Sequence, residues 1–128
     1  MFRRVIAIDS SPLASRLCAA NAKNAGFSNI DTVCDDVFRW LESSNSLCSH
    51  RCNLVVLDPP RTGAGPAIMN QILRWTPQTI IYVSCDPQTL VRDLLGIVPD
   101  AYAITMVEGL DMFPQTYHFE TVVKLEKK

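Results

Sequence analysis

Two features of the sequence predict an α/β fold with a mostly parallel sheet. Short apolar runs rich in Val, Ile and Leu alternate with stretches of helical periodicity, an alternation that is typical of successive βαβ units. The last two predicted strands follow each other without a helix between them, which predicts an antiparallel hairpin at the carboxyl-terminal end. The chain has 128 residues and 48% hydrophobic content, values that suit one globular domain.

The composition excludes several classes of protein. A net charge of -1 and a pI of about 6.1 give no overall basic field, so a nucleic-acid partner requires a local basic patch or a separate binding domain. Five cysteines at irregular spacing, with no signal peptide and no long apolar run, predict a reduced cytoplasmic protein without a membrane partner. Cys48, His50 and Cys52 resemble half of a zinc site, but the other half is missing, so we expect no metal.

The first predicted strand, Val5 to Ile8, leads into a helix over Pro12 to Ala25. Ser10 or Ser11 can cap this helix, proline fits its first turn, and Gly26 ends it. The apolar face of the helix consists of Leu13, Leu17 and Ala20.

The middle of the chain repeats this strand-then-helix pattern twice. A weaker strand over Ile30 to Val33 precedes a short helix over Val37 to Leu41. The Ser-, Asn- and Cys-rich stretch from Glu42 to Arg51 indicates a surface loop. A clear strand over Leu54 to Leu57 then precedes a helix over Pro66 to Trp75.

The last part of the chain contains the strongest strand signal, Ile80 to Val83, whose unbroken apolar run is typical of a strand covered on both faces. An Asp-Pro pair starts the helix that follows. Strands over Tyr102 to Val107 and Glu120 to Leu125 come next, and a polar and aromatic turn over Asp111 to His118 joins them.

Polar residues follow four of the predicted strands. They are Asp9, Asp36, Asp58 and Cys85. Right-handed crossovers bring the carboxyl ends of parallel strands to one edge of a sheet, where ligands bind in open α/β folds. Asp9 suits the acidic residue that accepts hydrogen bonds from a ribose diol, and Asp36 suits a contact near an adenine. Each is equally suited to capping the helix that follows it.

The segment D-P-P-R-T-G-A-G begins at Asp58, and its prolines exclude helix while its glycines allow a ligand to approach closely. The Asp58 carboxylate can accept a hydrogen bond from a planar polar substrate, and Arg61 can pair with a carboxylate or a phosphate. Cys85 is a candidate nucleophile at a strand end, although a cysteine in such a position is often only a small buried hydrophobe.

Three segments resemble the signature blocks of the RNA uracil-5-methyltransferases, the family that makes 5-methyluridine in tRNA and ribosomal RNA. They are L-D-P-P-R-T-G-A-G (57–65), Y-V-S-C-D-P-Q-T-L-V-R-D (82–93) and D-M-F-P-Q-T-Y-H-F-E (111–120). The segment V-I-A-I-D-S-S-P (5–12) is also similar to the family's second strand and acidic residue. The resemblance implies a Rossmann-like class I methyltransferase fold that depends on S-adenosylmethionine.

The resemblance also implies a role for each site residue. Cys85 matches the nucleophile that adds to carbon 6 of uracil, and Glu120 matches the base that removes the proton from carbon 5 after S-adenosylmethionine has supplied the methyl group. Asp58 matches an aspartate between cofactor and uracil, and Asp9 and Asp36 match positions that contact the cofactor. Two departures leave this chemistry intact: position 86 has aspartate where asparagine is usual, and Asp9 is shorter than the usual glutamate.

The resemblance covers only part of a methyltransferase. Nothing before Val5 matches the family's first strand and glycine-rich loop, and its amino-terminal RNA-binding domain and cysteine-rich cluster segment have no counterpart. In this fold the missing strand lies between the strands that begin at Val5 and Leu54. Residues 1–128 are therefore expected to be the carboxyl-terminal two-thirds of a catalytic domain, which alone binds cofactor weakly and is unstable or self-associates.

The expected partner of the parent protein is a structured RNA, and D-M-F-P at 111–114 favours ribosomal RNA over tRNA. Two alternatives stay open: a non-catalytic binding relative of the family, and a methyltransferase that acts on another base or on protein. Amine methylation at a D/N-P-P-Y type site needs no thiol. The combination of Arg61 after D-P-P with Cys85 and Glu120 favours pyrimidine chemistry instead.

Overall fold

The computed structural model describes residues 2–43, 52–98, 100–112, 114–116 and 119–128. The chain divides into two compact units, Met1–Ser44 and Asn45–Lys128. All helices and strands predicted from the sequence are present, and their ends differ from the predicted ones by at most three residues. Their bounds are β1 Val5–Asp9, α1 Pro12–Asn24, β2 Ile30–Cys34, α2 Val37–Ser43, β3 Leu54–Leu57, α3 Gly65–Trp75, β4 Thr79–Ser84, α4 Pro87–Leu95, β5 Tyr102–Leu110 and β6 Glu120–Lys127.

The first unit contains a two-stranded parallel sheet in which β1 pairs with β2 from Val5–Ile30 to Asp9–Cys34. Helix α1 connects the two strands. The hydroxyl oxygen of Ser11 accepts a hydrogen bond from the Ala14 amide at 3.3 Å, so Ser11 is the cap of α1.

The apolar face predicted for α1 is exposed in the first unit. Leu13 is 58% and Leu17 is 53% exposed, whereas Ser15 is buried. The Ser15 hydroxyl lies 3.1 Å from the carbonyl oxygen of Val33, within hydrogen-bond distance. A polar contact to a strand carbonyl therefore helps fix the helix on this sheet, and helical periodicity alone could not reveal that contact.

The second unit contains a four-stranded sheet with the order β3-β4-β6-β5. Strands β3 and β4 are parallel, and β6 lies between β4 and β5 and is antiparallel to both. This arrangement confirms the predicted α/β fold and its antiparallel carboxyl-terminal hairpin. The core lies between this sheet and helices α3 and α4. Its buried members are Met69, Ile72, Ile80, Tyr82, Leu90, Leu94, Ile97, Tyr102, Val123 and Leu125.

Within the second unit, strand β4 is fully covered on one face only. Ile80 and Tyr82 are buried by the two helices, whereas Ile81 and Val83 are partly exposed. Val56 of β3, which pairs with Ile81, is 59% exposed. The prediction of a strand covered on both faces is therefore wrong within this unit, because an apolar run does not specify how many layers pack on it.

Several predictions fall on residues outside the described ranges. They concern most of the loop over 42–51, including Cys48 and His50, and the part of the turn over 111–118 that contains Phe113 and His118. The described ranges contain no cluster of three or more His, Cys, Asp or Glu side chains arranged to hold a metal ion. In those same ranges, no helix has both the length and the apolar character needed to cross a membrane.

Candidate active site

The segment S-C-D-P turns the chain from β4 into α4 and carries Cys85. Ser84 is buried, and its hydroxyl donates a hydrogen bond to the Asp86 carbonyl at 2.9 Å and accepts one from the Asp86 amide at 3.1 Å. Cys85 is a free thiol that is partly exposed. These two hydrogen bonds join the residues before and after Cys85 and thereby fix its backbone. The thiol itself stays partly exposed.

The first turn of α4 is capped by Asp86. Its Oδ1 accepts hydrogen bonds from the amides of Gln88 and Thr89, each at 3.0 Å. The hydrogen bond from Thr89, supported by that from Gln88 and by the nearby charge of Arg61, holds the pKa of Asp86 below its ordinary value. The aspartate is therefore ionised at neutral pH, and these two helix amides are not available to the Cys85 sulfur.

Glu120 begins strand β6 at the same end of the sheet. Ser84 pairs with Thr121 in the antiparallel register of β4 and β6. Cys85 follows Ser84, and Glu120 precedes Thr121, so the two residues occupy the next positions on the facing chains. Opposite residues of antiparallel strands have Cα atoms roughly 4.5–5.5 Å apart, and positions just beyond the last pair are neighbours. Glu120 is half-buried and also pairs with Leu110 of β5.

The segment over residues 58–65, which ends with the first residue of α3 and is named here the D-P-P-R loop, lies beside the S-C-D-P turn. Thr89 connects them, because its hydroxyl oxygen lies 3.1 Å from the Arg61 carbonyl oxygen and 3.2 Å from that of Asp86. The charge of Arg61 also reaches Asp86. Asp58, at the start of the loop, is exposed. The second unit therefore brings Arg61, Cys85 and Glu120 to one end of its sheet.

A buried carboxylate on α4 holds the far side of this loop. Asp93 is 2% exposed. Its Oδ2 accepts hydrogen bonds from the Tyr82 hydroxyl at 2.6 Å and from the amides of Ala64 and Gly65 at 2.8 and 3.1 Å. Its Oδ1 accepts from the Arg92 guanidinium at 2.7 and 2.9 Å. Strand β4, helix α4 and the D-P-P-R loop therefore meet at one side chain.

The surroundings of Asp93 determine its charge. Burial alone raises the pKa of Asp93, but hydrogen bonds from Tyr82, Arg92 and Gly65 outweigh that effect and lower it below the ordinary value. Burial, followed by the hydrogen bond to Asp93, raises the pKa of Tyr82 well above its ordinary value. At neutral pH, Asp93 is thus an anion and Tyr82 a neutral donor.

Sequence reasoning assigned no role to Asp93, Tyr82 or Arg92. A signal was present, because Asp93 falls three residues after Leu90 and four before Ile97, on the buried face of its helix. A buried carboxylate requires partners. The partners themselves could not be read from the sequence, since the nearest of the loop amides is 28 residues away.

Asp9 and Asp36 lie in the first unit, and both are exposed. Oδ1 of Asp9 accepts a hydrogen bond from the Ser11 amide at 2.7 Å, and Oδ1 of Asp36 accepts one from the Arg39 amide at 2.9 Å. Asp36 therefore makes the capping contact that its alternative interpretation predicted, at the start of α2. Asp9 does not cap α1, because the cap is Ser11 and Asp9 only accepts from the amide of that residue. Their predicted contacts with a cofactor stay predictions.

Comparison with known sequences identifies relatives of this chain. The profile of the tRNA (Uracil-5-)-methyltransferase family matches residues 27–128. An uncharacterized RNA methyltransferase of Thermotoga maritima is 48% identical over 124 residues, which make up 97% of this chain and 27% of that protein. Another from Clostridium tetani is 36% identical over 126 residues, or 98% of this chain and 27% of that protein. The chain thus spans about a quarter of the length of these relatives.

Solved structures give the same assignment. The crystal structure of the Pyrococcus abyssi tRNA (uracil-54, C5)-methyltransferase in complex with S-adenosyl-L-homocysteine is similar with a TM-score of 0.75 and 30% identity, covering 95% of this chain and 28% of that one. The crystal structure of an rRNA methylase from Streptococcus thermophilus is similar with a TM-score of 0.74 and 13% identity, and the match covers 97% of this chain and 73% of that one. At this identity the similarity supports the fold alone. These structures confirm the Rossmann-like methyltransferase fold. Since the family profile matches most of its length, the chain belongs to the tRNA (uracil-5-)-methyltransferase family.

Proposed function

We propose that the protein methylates carbon 5 of a uridine in RNA, with Cys85 as nucleophile and Glu120 as general base. The observation that supports this proposal most directly is the register of β4 and β6, which makes Cys85 and Glu120 neighbours just beyond the Ser84–Thr121 pair. A thiol and a carboxylate at adjacent positions suit a reaction that needs one group to add to a ring and another to remove a proton from the next atom.

In the proposed reaction, the Cys85 thiolate forms a bond to carbon 6 of uracil, and the ring electrons move to make carbon 5 nucleophilic. S-adenosylmethionine supplies the methyl group that carbon 5 takes. Glu120 then accepts the proton from carbon 5, and the electrons of that bond re-form the ring double bond as the Cys85 sulfur leaves. The thiolate is regenerated, so Cys85 and Glu120 together complete one turnover.

Asp9 and Asp36 are proposed to hold the cofactor. In the described ranges, their hydrogen bonds use Oδ1, which leaves Oδ2 of each able to accept from hydroxyl or amine donors. The ribose and adenine of S-adenosylmethionine carry such donors, so these carboxylates fit the group chemically. Asp58 is proposed to contact both cofactor and uracil, and Arg61 to contact the RNA.

The RNA is proposed to be a structured ribosomal or transfer RNA. The segment D-M-F-P at 111–114 favours ribosomal RNA, whereas the similar structure from Pyrococcus abyssi belongs to an enzyme named for a tRNA position. Competition between 5-fluorouridine transcripts of the two kinds for one protein sample distinguishes these substrates. With both transcripts present at equal concentration, the preferred class is the one that forms more adduct.

The chain is proposed to act as part of a larger catalytic protein, because it spans about a quarter of the length of its curated relatives. Residues 1–128 would supply the carboxyl-terminal part of the catalytic domain, and alone they would bind cofactor weakly and self-associate through unpaired strand edges. The cysteines of the described ranges, Cys18, Cys34, Cys52 and Cys85, form no disulfide with one another, which suits a reduced cytoplasmic compartment.

Trapping with 5-fluorouridine RNA tests the proposed function. Fluorine on carbon 5 takes the place of the proton that Glu120 must remove, so the adduct with Cys85 cannot resolve. The full-length gene product, incubated with this RNA and S-adenosylmethionine, is expected to give a covalent complex on a denaturing gel. Cys85→Ala should abolish the complex, and Cys34→Ala, at another accessible thiol, should retain it.

Two outcomes would contradict the proposal. A full-length protein that binds cofactor and RNA but forms no complex would indicate a non-catalytic relative or a different methylation target. A complex that persists in Cys85→Ala would show that another residue is the nucleophile.

A further inference from the structure

The D-P-P-R loop is held by α4 at every peptide from Arg61 to Gly65. Thr89 contacts the Arg61 carbonyl, Arg92 donates to the Thr62 carbonyl at 2.8 Å, and Asp93 accepts from the Ala64 and Gly65 amides. These contacts fix the path of the loop rather than any single side chain on it.

Gly63 shows how closely the loop approaches α4. A Cβ atom placed on Gly63 would lie 2.6 Å from both the Arg92 guanidinium and Oδ2 of Asp93, and 3.2 Å from Cβ of Thr89. Such distances are far below van der Waals contact, so only glycine fits. The absence of a side chain at this position lets the carboxylate of Asp93 reach the amides beyond it.

The chemistry of the Asp93 site requires an anion. Both carboxylate oxygens accept, Oδ2 from three donors and Oδ1 from the Arg92 guanidinium. An asparagine would turn one of these acceptors into a donor, so that an NH₂ group would face either loop amides or a guanidinium. When a buried NH₂ group faces other donors, neither side forms a hydrogen bond and both lose their contacts with water. We expect the loop to move so that these unpaired donors become solvated.

We propose that Asp93 is a positioning residue, which fixes the D-P-P-R loop against strand β4 and thereby sets where Arg61 and Asp58 stand relative to Cys85. Tyr82 transmits this constraint, since its hydroxyl donates to Asp93 and accepts from the Ala64 amide at 3.0 Å. It lies in strand β4, which ends at Ser84, directly before Cys85. The inference rests on the proposed function, because it concerns how a uracil ring is held beside the thiol.

Two measurements test this role in the full-length gene product. The first needs no RNA: amide exchange at Ala64 and Gly65 should become faster in Asp93→Asn. The second is the rate of adduct formation with saturating 5-fluorouridine RNA, which should fall roughly a hundredfold, as expected for a misplaced reacting group. The rate of Cys85 alkylation by iodoacetamide should stay at its wild-type value, and the saturating RNA concentration removes any effect that a displaced Arg61 has on RNA binding. Asp100→Asn, the same change at an exposed aspartate of the second unit, is the matched control.

The outcomes separate this proposal from the proposed function. If the wild type forms no adduct, the proposed function fails, and amide exchange at Ala64 and Gly65 alone decides whether Asp93 anchors the loop. A folded Asp93→Asn variant with wild-type adduct rate overturns the positioning role. If Asp93→Asn does not fold, Tyr82→Phe, which removes one hydroxyl, should slow adduct formation in the same direction, and an unchanged rate in that variant also overturns the proposal.

Discussion

Substitutions of Cys85 and Glu120 should have opposite effects on the same covalent intermediate, because Cys85 is proposed to form it and Glu120 to resolve it. Glu120→Gln retains a side chain of nearly the same shape but cannot accept the proton from carbon 5. We expect the full-length Glu120→Gln variant to accumulate a covalent complex with ordinary uridine RNA when S-adenosylmethionine is present, as detected on a denaturing gel. The wild type, which can release the product, should show little of it. Absence of the complex in a folded variant that binds RNA would remove Glu120 from the role of base.

Asp93 also predicts how stability depends on pH. Its pKa is lower in the folded protein than in the unfolded chain, so its contribution is present above the unfolded pKa of about 3.9 and is lost as pH falls through the folded pKa. The difference in free energy of unfolding between wild type and Asp93→Asn should therefore be largest near neutral pH. It should shrink as the solution is acidified below about pH 4. Urea denaturation at a series of pH values measures it, and a difference that grows on acidification would contradict the prediction.

Individual residues could be predicted from the sequence when their position relative to a strand end was sufficient. The positions of Cys85 and Asp58 directly after strand ends were predicted in this way and are confirmed, because an apolar run followed by a polar residue indicates a strand and its end; their roles stay predictions. Asp93 was not assigned a role, since its significance lies in Tyr82 and in loop amides brought close only by the fold. Sequence also left capping and ligand contact equally open at Asp9, where the structure shows that Ser11 is the cap and that one carboxylate oxygen of Asp9 accepts from the Ser11 amide.

At the scale of elements, two neighbouring leucines of helix α4 differ in how much of each side chain is exposed. Leu94 is 7% exposed and belongs to the core, whereas Leu95 is 72% exposed. Leu94→Ala should lower the free energy of unfolding by about 2–5 kcal/mol, and Leu95→Ala should change it by no more than about 0.5 kcal/mol. Chemical denaturation of both variants measures the difference. Equal effects would mean that α4 does not pack on the sheet through this face.

Two glycines of the β3–α3 connection provide a second matched pair. Gly63 and Gly65 have φ angles of +74° and +81°, so alanine is strained at both positions to a similar degree. A Cβ at Gly63 collides with Arg92 and Asp93, whereas one at Gly65 meets nothing within 4 Å. Gly63→Ala should therefore lower the urea midpoint more than Gly65→Ala does. A reversed order would mean that the loop can move away from α4 at little cost.

The elements were predicted well because each has a strong local signal. Strand β3 was predicted with both ends correct, and Pro12 and Pro87 marked the starts of α1 and α4. The exposed face of α1 and the single covered face of β4 were not predictable, since an apolar pattern does not say which neighbours are present. Sheet order was equally hidden: the sequence indicated a hairpin of β5 and β6 but not that β6 lies next to β4.

At the scale of the whole molecule, the two units differ in how much they bury. The second has a continuous core between its sheet and two helices, whereas the buried residues in the described part of the first are Ser15 and Leu41. A two-stranded sheet with so little buried surface has low local stability. Amide hydrogen exchange should therefore be slowest in β4 and β6 and clearly faster in β1 and β2. Equal protection in the two sheets would show that the first unit gains stability by other means.

The position of β6 between β4 and β5 affects how the protein is made. Ribosomes deliver a chain from its amino terminus, so β4 and β5 emerge before the strand that will separate them. Until β6 inserts, both expose hydrogen-bonding edges that can recruit wrong partners. The same late step brings Glu120 beside Cys85. A nascent or shortened polypeptide without β6 would thus possess the thiol but not its proposed partner, which couples the synthesis of β6 to the acquisition of chemistry.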